Sequence, residues 1–194
     1  LALVQKRHPH IRVTSEFNDI LNDSSVQAVI IATPTRTHFP LAKKALMAGK
    51  HVWIEKPMTE TSAQAKTLIS LAKKRKKIIH IDNIFIYTEA ITRVQKMLQR
   101  KELGQIYYFD SVRINLGLFQ KDINVIWDLA PHDISIMLHL LNEYPTTVSA
   151  HAHSHVVQDL EDTAYLNFRF ASGRSAHIHV SWLSPVKRRS KSLK

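Results

Sequence analysis

Three short apolar runs separated by two helical stretches constrain this chain more than any other feature. Val26-Gln27-Ala28-Val29-Ile30-Ile31-Ala32 is nearly continuous, His51-Val52-Trp53-Ile54 is bounded by Gly49 and Pro57, and Ile78-Ile79-His80-Ile81-Asp82 is the third. The first reads as a parallel strand covered on both faces, and the other two as strands. Between them, His38 to Ala48 carries Leu41, Ala45 and Leu46 at helical spacing. A second helix, capped by Thr59 or Thr61 and running to about Arg75, has Leu68, Ile69, Leu71 and Ala72 on its inner stripe. Strands alternating with helices demand right-handed crossovers, so the expected architecture is an α/β parallel sheet. Ahead of it, Leu1 to Arg7 reads as a helix end stopped by His8-Pro9-His10, and Ile11-Arg12-Val13 as a short extended piece. Ser15 suits the N-cap of a helix from Glu16 to Leu21, and Thr33 to Thr37 reads as a loop.

The pattern changes after Asn83. A helix from Thr88 to Arg100, a turn at Leu103-Gly104 and an extended Gln105 to Ile114 lead to an irregular loop, Asn115 to Asn124. Val125 to Leu141 places Ile126, Leu129, Ile134, Met137, Leu138 and Leu141 on one helix face, with Pro131 limiting where the regular part begins. Thr146 to Val156, Asp162 to Ala171 and Arg174 to Leu183 alternate as strands, the last two joined by a tight turn at Ser172-Gly173. Ala164, Leu166, Phe168 and Phe170 share one face, as do Ala176, Ile178, Val180 and Trp182. An open, mostly antiparallel sheet with one apolar face under the Val125 helix is an α+β arrangement. The expected domains are therefore residues 1–84 and 85–194.

A net charge of +11, from 27 Lys and Arg against 16 Asp and Glu, raises an anionic partner. Its distribution argues against nucleic acid. Lys73-Lys74-Arg75-Lys76-Lys77 ends a helix, where the dipole favours cations. Lys187-Arg188-Arg189, Lys191 and Lys194 read as a polar tail, and neither cluster is interleaved with stacking aromatics. Without Cys there is no disulfide and no thiolate chemistry, and a cytoplasmic setting is expected. No apolar run approaches the roughly 18 residues of a membrane span.

Three groupings could carry chemistry. Glu55 and Lys56 sit at the carboxyl end of a strand, the edge of an open α/β sheet where ligands bind, although a solvated Glu-Lys pair in a loop reads the same. Asp128 and His132 stand one helical turn apart, which suits a carboxylate-oriented imidazole acting as general base; a capping acid, Asp128 or Asp133, beside a solvated histidine is the alternative. His151, His153, His155, His177 and His179 alternate along two strands, on faces opposite the apolar ones. With no acidic or thiolate ligand in register they suggest a wet or partner-covered face rather than a metal site.

Ala32-Thr33-Pro34-Thr35-Arg36-Thr37-His38, Ala48-Gly49-Lys50-His51-Val52-Trp53-Ile54-Glu55-Lys56-Pro57, Trp127-Asp128-Leu129-Ala130-Pro131-His132-Asp133 and Ser181-Trp182-Leu183 occur in that order. In this layout the chain resembles the glucose-fructose oxidoreductase and inositol dehydrogenase family (Gfo/Idh/MocA). The resemblance implies an NAD(P)-binding Rossmann domain, followed by an α+β domain whose open sheet forms a homo-oligomer interface in a dimer or tetramer. It implies that Lys56, Asp128 and His132 line the place where a hydroxyl of a sugar, nucleotide-sugar or polyol gives up hydride to NAD or NADP. Thr33, Pro34, Thr35, His38, Glu55 and Lys56 would flank the cofactor. A non-catalytic sugar-binding or regulatory relative with the same fold is the alternative.

Two departures bear on this. The family's opening strand and its G-x-G-x-x-G loop have no counterpart among Gly49, Gly104, Gly117 and Gly173, so a missing first β-α unit is expected, as is a truncated last sheet. Ala130 and Ser135 stand where family members commonly have Gly and Asp. The Asp128 to Asp133 segment, with Ser181-Trp182-Leu183 and Lys187, is similar to members acting on nucleotide-sugars.

Overall fold

The computed structural model describes residues 1–117, 119–120 and 123–194, in two compact units, Leu1–Asp82 and Asn83–Lys194. In the first, α1 (Ala2–Arg7) and α2 (Phe17–Asn22) precede β1 (Ala28–Ile31), α3 (Thr35–Met47), β2 (His51–Ile54), α4 (Ser62–Arg75) and β3 (Ile79–Ile81). The three strands are parallel in the order β1-β2-β3, with Ile31 beside Ile54 and Ile54 beside Ile81. Val29, Ile31, Val52 and Ile54 bury one sheet face against Ala42, Ala45 and Leu46 of α3 and Leu68 and Ala72 of α4.

The expectation that the first strand, β1, is covered on both faces is corrected within this unit. Two successive right-handed crossovers running the same way put α3 and α4 on the same side. Ile30 is 73% exposed and Trp53 43% exposed on the other, where the Trp53 and His80 rings lie 4.5 Å apart. Ile69 likewise faces solvent rather than the inner stripe of α4. Ile11 to Val13 forms no strand, and Arg12 pairs with the Asp23 carboxylate instead. Thr14, not Ser15, organises the start of α2: its hydroxyl accepts from the Glu16 N–H at 2.9 Å and donates to Asp19 at 2.6 Å. Of the two candidate caps for α4, Thr61 accepts from the Gln64 N–H at 3.2 Å. Helix α3 begins at Thr35, inside the expected loop.

The second unit opens on a 3-10 turn (Ile84–Tyr87), followed by α5 (Glu89–Gln99), β4 (Tyr108–Leu116), α6 (Val125–Leu141), β5 (Pro145–His153), β6 (Thr163–Phe170), β7 (Ser175–Ser181) and β8 (Leu183–Leu193). Of the expected loop Asn115 to Asn124, Leu118, Lys121 and Asp122 lie outside the described residues. The sheet order is β5-β6-β7-β4-β8, antiparallel except for β4 beside β7. Both alternating sets hold: Ala164, Leu166, Phe168, Phe170, Ala176, Ile178, Val180 and Trp182 are buried in the core with α6.

The basic polar tail is a correction, because Lys187, Arg188, Arg189 and Lys191 lie in β8, the edge strand paired with β4, with Lys194 directly after it. Strand β5 stops at His153 rather than Val156, because the Asp162 carboxylate takes the N–H groups of His155 and Val156 out of the ladder. Helix α6 runs unbroken past Pro131 from its Asn124 cap, whose side chain accepts the Trp127 N–H at 3.1 Å. Its buried face is Val125, Ala130, Asp133, Ile136, Met137, Leu140 and Leu141, with a carboxylate at its centre; of the expected stripe Met137 and Leu141 lie on this face, and Ile126, Leu129, Ile134 and Leu138 are partly buried against the same core. Among the described residues no helix is long and apolar enough to cross a membrane.

Candidate active site

In the first unit the site residues collect at the carboxyl ends of β1 and β2. Parallel pairing continues to the Glu55 N–H, which donates to Ile31 O at 2.9 Å, so the two strands release their chains side by side. Thr33 and Pro34 are exposed there, Thr35 is buried in the first turn of α3, and Glu55 and Lys56 are half-buried after β2. The Glu55 carboxylate accepts the Lys56 N–H at 3.1 Å. Thr33 and Thr37 hydroxyls meet at 2.6 Å, and the Thr37 hydroxyl also donates to Pro34 O at 2.7 Å.

His38, expected to flank the cofactor, is turned inward from this edge. It is 1% exposed, with its ring nitrogens 2.9 Å from Pro57 O and 2.8 Å from Thr33 O. Two backbone carbonyls from adjacent strand-end loops thus converge on one imidazole, which ties the loops together from beneath. Apolar neighbours on α3 hide such a residue in a periodicity reading, because the carbonyls that satisfy it come from residues distant in the chain.

In the second unit Asp128 and His132 lie one turn apart on α6, both half-buried. Asp128 accepts the indole N–H of Trp182 at 3.1 Å, which fixes this carboxylate to the sheet. The ring of His132 meets Phe85, from the 3-10 turn, edge-on at 4.8 Å and 86°. Lys56 belongs to the first unit, and Asp128 and His132 to the second.

Beside His132, Asp133 has no exposed surface and neither caps nor faces water. Arg113 Nε donates to it at 2.5 Å and Arg113 Nη2 at 3.2 Å, Ser111 Oγ donates at 3.0 Å, and Lys191 Nζ lies 2.9 Å away. Burial alone would push this carboxyl up, but the hydrogen bonds and charges of Arg113 and Lys191 hold it below the ordinary carboxylate value. This cluster escaped the sequence reading. Its signal was present: Arg113 alternates with Phe109 and Ser111 on one strand face, and Asp133 falls four residues before Met137, so opposite charges occupy two core-facing positions.

The histidine ladder is divided. Strands β5 and β7 flank β6, so His151 reaches His179 only across Tyr165, whose ring stacks on His179 at 4.2 Å and 10°. Burial pushes the His179 imidazole down, opposed by the Asp110 carboxylate. His177 pairs with Asn167 at 2.7 Å. His155 lies past the strand and meets Asp162 at 2.8 Å, an acidic partner the sequence reading did not foresee. Among the described residues no three His, Cys, Asp or Glu side chains group as metal ligands would.

Comparison with known proteins agrees with this layout. Residues 2–83 match the model of the GFO/IDH/MocA oxidoreductase family, NAD-binding Rossmann fold, and residues 91–192 match the GFO/IDH/MocA C-terminal domain. UDP-N-acetylglucosamine 3-dehydrogenase of Acidithiobacillus ferrooxidans is 34% identical over 161 residues, covering 81% of this chain and 49% of that protein. The solved structure of that dehydrogenase, GnnA, superimposes with a TM-score of 0.85 at 30% identity, over 99% of this chain and 59% of its own. Inositol 2-dehydrogenase of Salmonella typhimurium is 27% identical over 171 residues, 86% of this chain and 51% of that one. The chain spans about half the length of these curated relatives. With both of its halves matched in order, it belongs to the GFO/IDH/MocA oxidoreductase family.

Proposed function

We propose that the protein is an NAD(P)-dependent dehydrogenase that transfers hydride between the nicotinamide and a hydroxyl of a sugar, nucleotide-sugar or polyol. The observation that carries this is Lys56, half-buried at the carboxyl end of the middle strand of a parallel sheet, in a chain that also presents Asp128 and His132 on one face of α6. The residues present fit a dinucleotide: exposed Thr33 and Pro34 stand beside Glu55 and Lys56 at the sheet edge where ligands are received. The nicotinamide supplies the hydride acceptor; proton handling is left to side chains. His132, oriented by its helix and by Phe85, acts as the proton acceptor, with Asp128 one turn away on the same face of α6, and Lys56 of the first unit is the further side chain able to handle a proton. Thr33, Pro34, Thr35 and Glu55 shape the cofactor side, with His38 as a positioning residue beneath them. The names of the two dehydrogenase relatives, one for a nucleotide-sugar and one for a polyol, support this substrate class. A cytoplasmic location, with its nicotinamide pool, completes the proposal.

The test is reduction of NAD or NADP by the complete protein against a panel containing UDP-N-acetylglucosamine and myo-inositol. Turnover on a member of the panel is expected. Dinucleotide and sugar binding by calorimetry without any turnover would replace the enzyme by a binding protein.

Association of two or more copies through the sheet face opposite α6 belongs to the same proposal. Tyr165 is 51% exposed there, flanked by His151 and His179, and aromatic surface of that kind on a sheet favours a partner. Light scattering on the complete protein should give a dimer or tetramer; a monomer at micromolar concentration would count against it.

A further inference from the structure

Asp133 carries one negative charge against the two positive charges of Arg113 and Lys191, all inside the second unit, with Arg113 only 2% exposed. Such clusters are poor devices for stability alone, because well-packed apolar residues of the same volume serve as well or better. Their merit is geometric. The Arg113 fork is held by both oxygens of Asp133, so the plane of its guanidinium is fixed. That group lies over the ring of Phe85, 4.8 Å from guanidinium carbon to ring centroid, and Phe85 meets His132 at 4.8 Å and 86°. Phe85 is itself pinned: its carbonyl accepts the Thr88 hydroxyl at 2.8 Å and the Thr88 N–H at 3.2 Å.

We propose that Arg113, clamped by Asp133, is a positioning residue for His132 and acts through Phe85. The sequence neighbours His132 and Asp133 are then two ends of one device. Asp133 turns into the sheet and fixes Arg113, Arg113 fixes the aromatic ring, and the ring limits the rotation of the imidazole that starts the circuit. Nothing in the proposal requires Arg113 to touch a substrate, and it rests on the reading of His132 as the proton acceptor.

The test uses Phe85→Leu, which removes the aromatic intermediary and leaves the buried charges intact, and Arg113→Lys, which keeps the charge and loses the planar fork. Two readouts are needed on the complete protein. One is kcat and KM for nicotinamide reduction with UDP-N-acetylglucosamine and with myo-inositol. The other is the ring nitrogen and carbon resonances of His132, assigned by their absence in His132→Gln, with melting curves as a control on folding. In Phe85→Leu, kcat is expected to fall at least about tenfold with KM changed by less than about threefold, as for a group that misplaces a reacting side chain without altering ground-state binding. The His132 resonances should shift in both variants. Unmoved resonances in a folded Phe85→Leu protein would overturn the proposal, as would shifted resonances with unchanged kcat. Full turnover by His132→Gln would instead remove the catalytic reading of His132, leaving the resonances to decide whether Phe85 and Arg113 orient its ring.

Discussion

Replacement of Lys56 by alanine should cut turnover by a factor of about a hundred to ten thousand, the usual range for loss of a positioned proton-transfer group. That corresponds to about 3 to 5 kcal/mol of transition-state stabilisation at roughly 1.36 kcal/mol per tenfold. The fold should barely notice. Lys56 is only half-buried, and the bond from its backbone N–H to the Glu55 carboxylate survives in the variant. Surface substitutions of this type change stability by about 0.5 kcal/mol or less. The check is a progress curve of cofactor reduction beside a thermal melt, made on the complete protein. Undiminished turnover with an unchanged melt would take the catalytic role away from Lys56.

The largest effect on stability is expected from Asp133→Asn. Removing the carboxylate leaves Arg113 and Lys191 facing each other with no counter-charge in the interior of the second unit, and breaking a buried pair in this way costs about 3 to 5 kcal/mol. Urea melts of the variant and the parent protein at neutral pH measure that cost. The pH dependence follows from the direction of the shift. A carboxyl whose value is lowered by folding contributes stability that is present above its unfolded value and lost as pH falls through its folded value. The gap between parent and variant should therefore hold from about pH 7 down to about pH 4, the ordinary carboxylate value, and narrow only below it, as pH falls toward the lowered folded value. Equal stability of the two proteins at neutral pH would mean that the buried cluster contributes nothing net.

Much of this architecture is legible in the residues because its parts use short-range rules. Alternation in Thr163–Phe170 and Ser175–Ser181 placed every apolar side chain of β6 and β7 correctly, since the pleat admits only two faces. What escaped depends on partners far along the chain. Residues 187 to 194 look like a solvated tail by composition, but an edge strand tolerates and even favours such charges, and Lys191 spends its ammonium on Asp133. The buried face of α6 is only partly legible because its centre is charged: a stripe sought among apolar residues finds Met137 and Leu141 but passes over Asp133, and takes in Ile134 and Leu138, which are only partly buried. The strand-end residues Glu55 and Lys56 were readable from Gly49 and Pro57 on either side, whereas the inward turn of His38 needed the positions of two carbonyls.

The sheet order of the second unit also has a temporal consequence. Strands β5, β6 and β7 are neighbours in sequence as well as in space, so they can zip through local hairpins, with loop closures that cost little. Strand β4 is different: one of its neighbours begins at Ser175 and the other at Leu183, each more than half the unit away. Its ladders have high contact order and belong to the slow part of folding. Until β8 arrives, the Asp133 carboxylate has one cation instead of two, and β4 has one open edge. Docking of β8 therefore both pairs the second edge of β4 and brings the second cation to Asp133, so a hydrogen-bond ladder and a charge cluster form in one step.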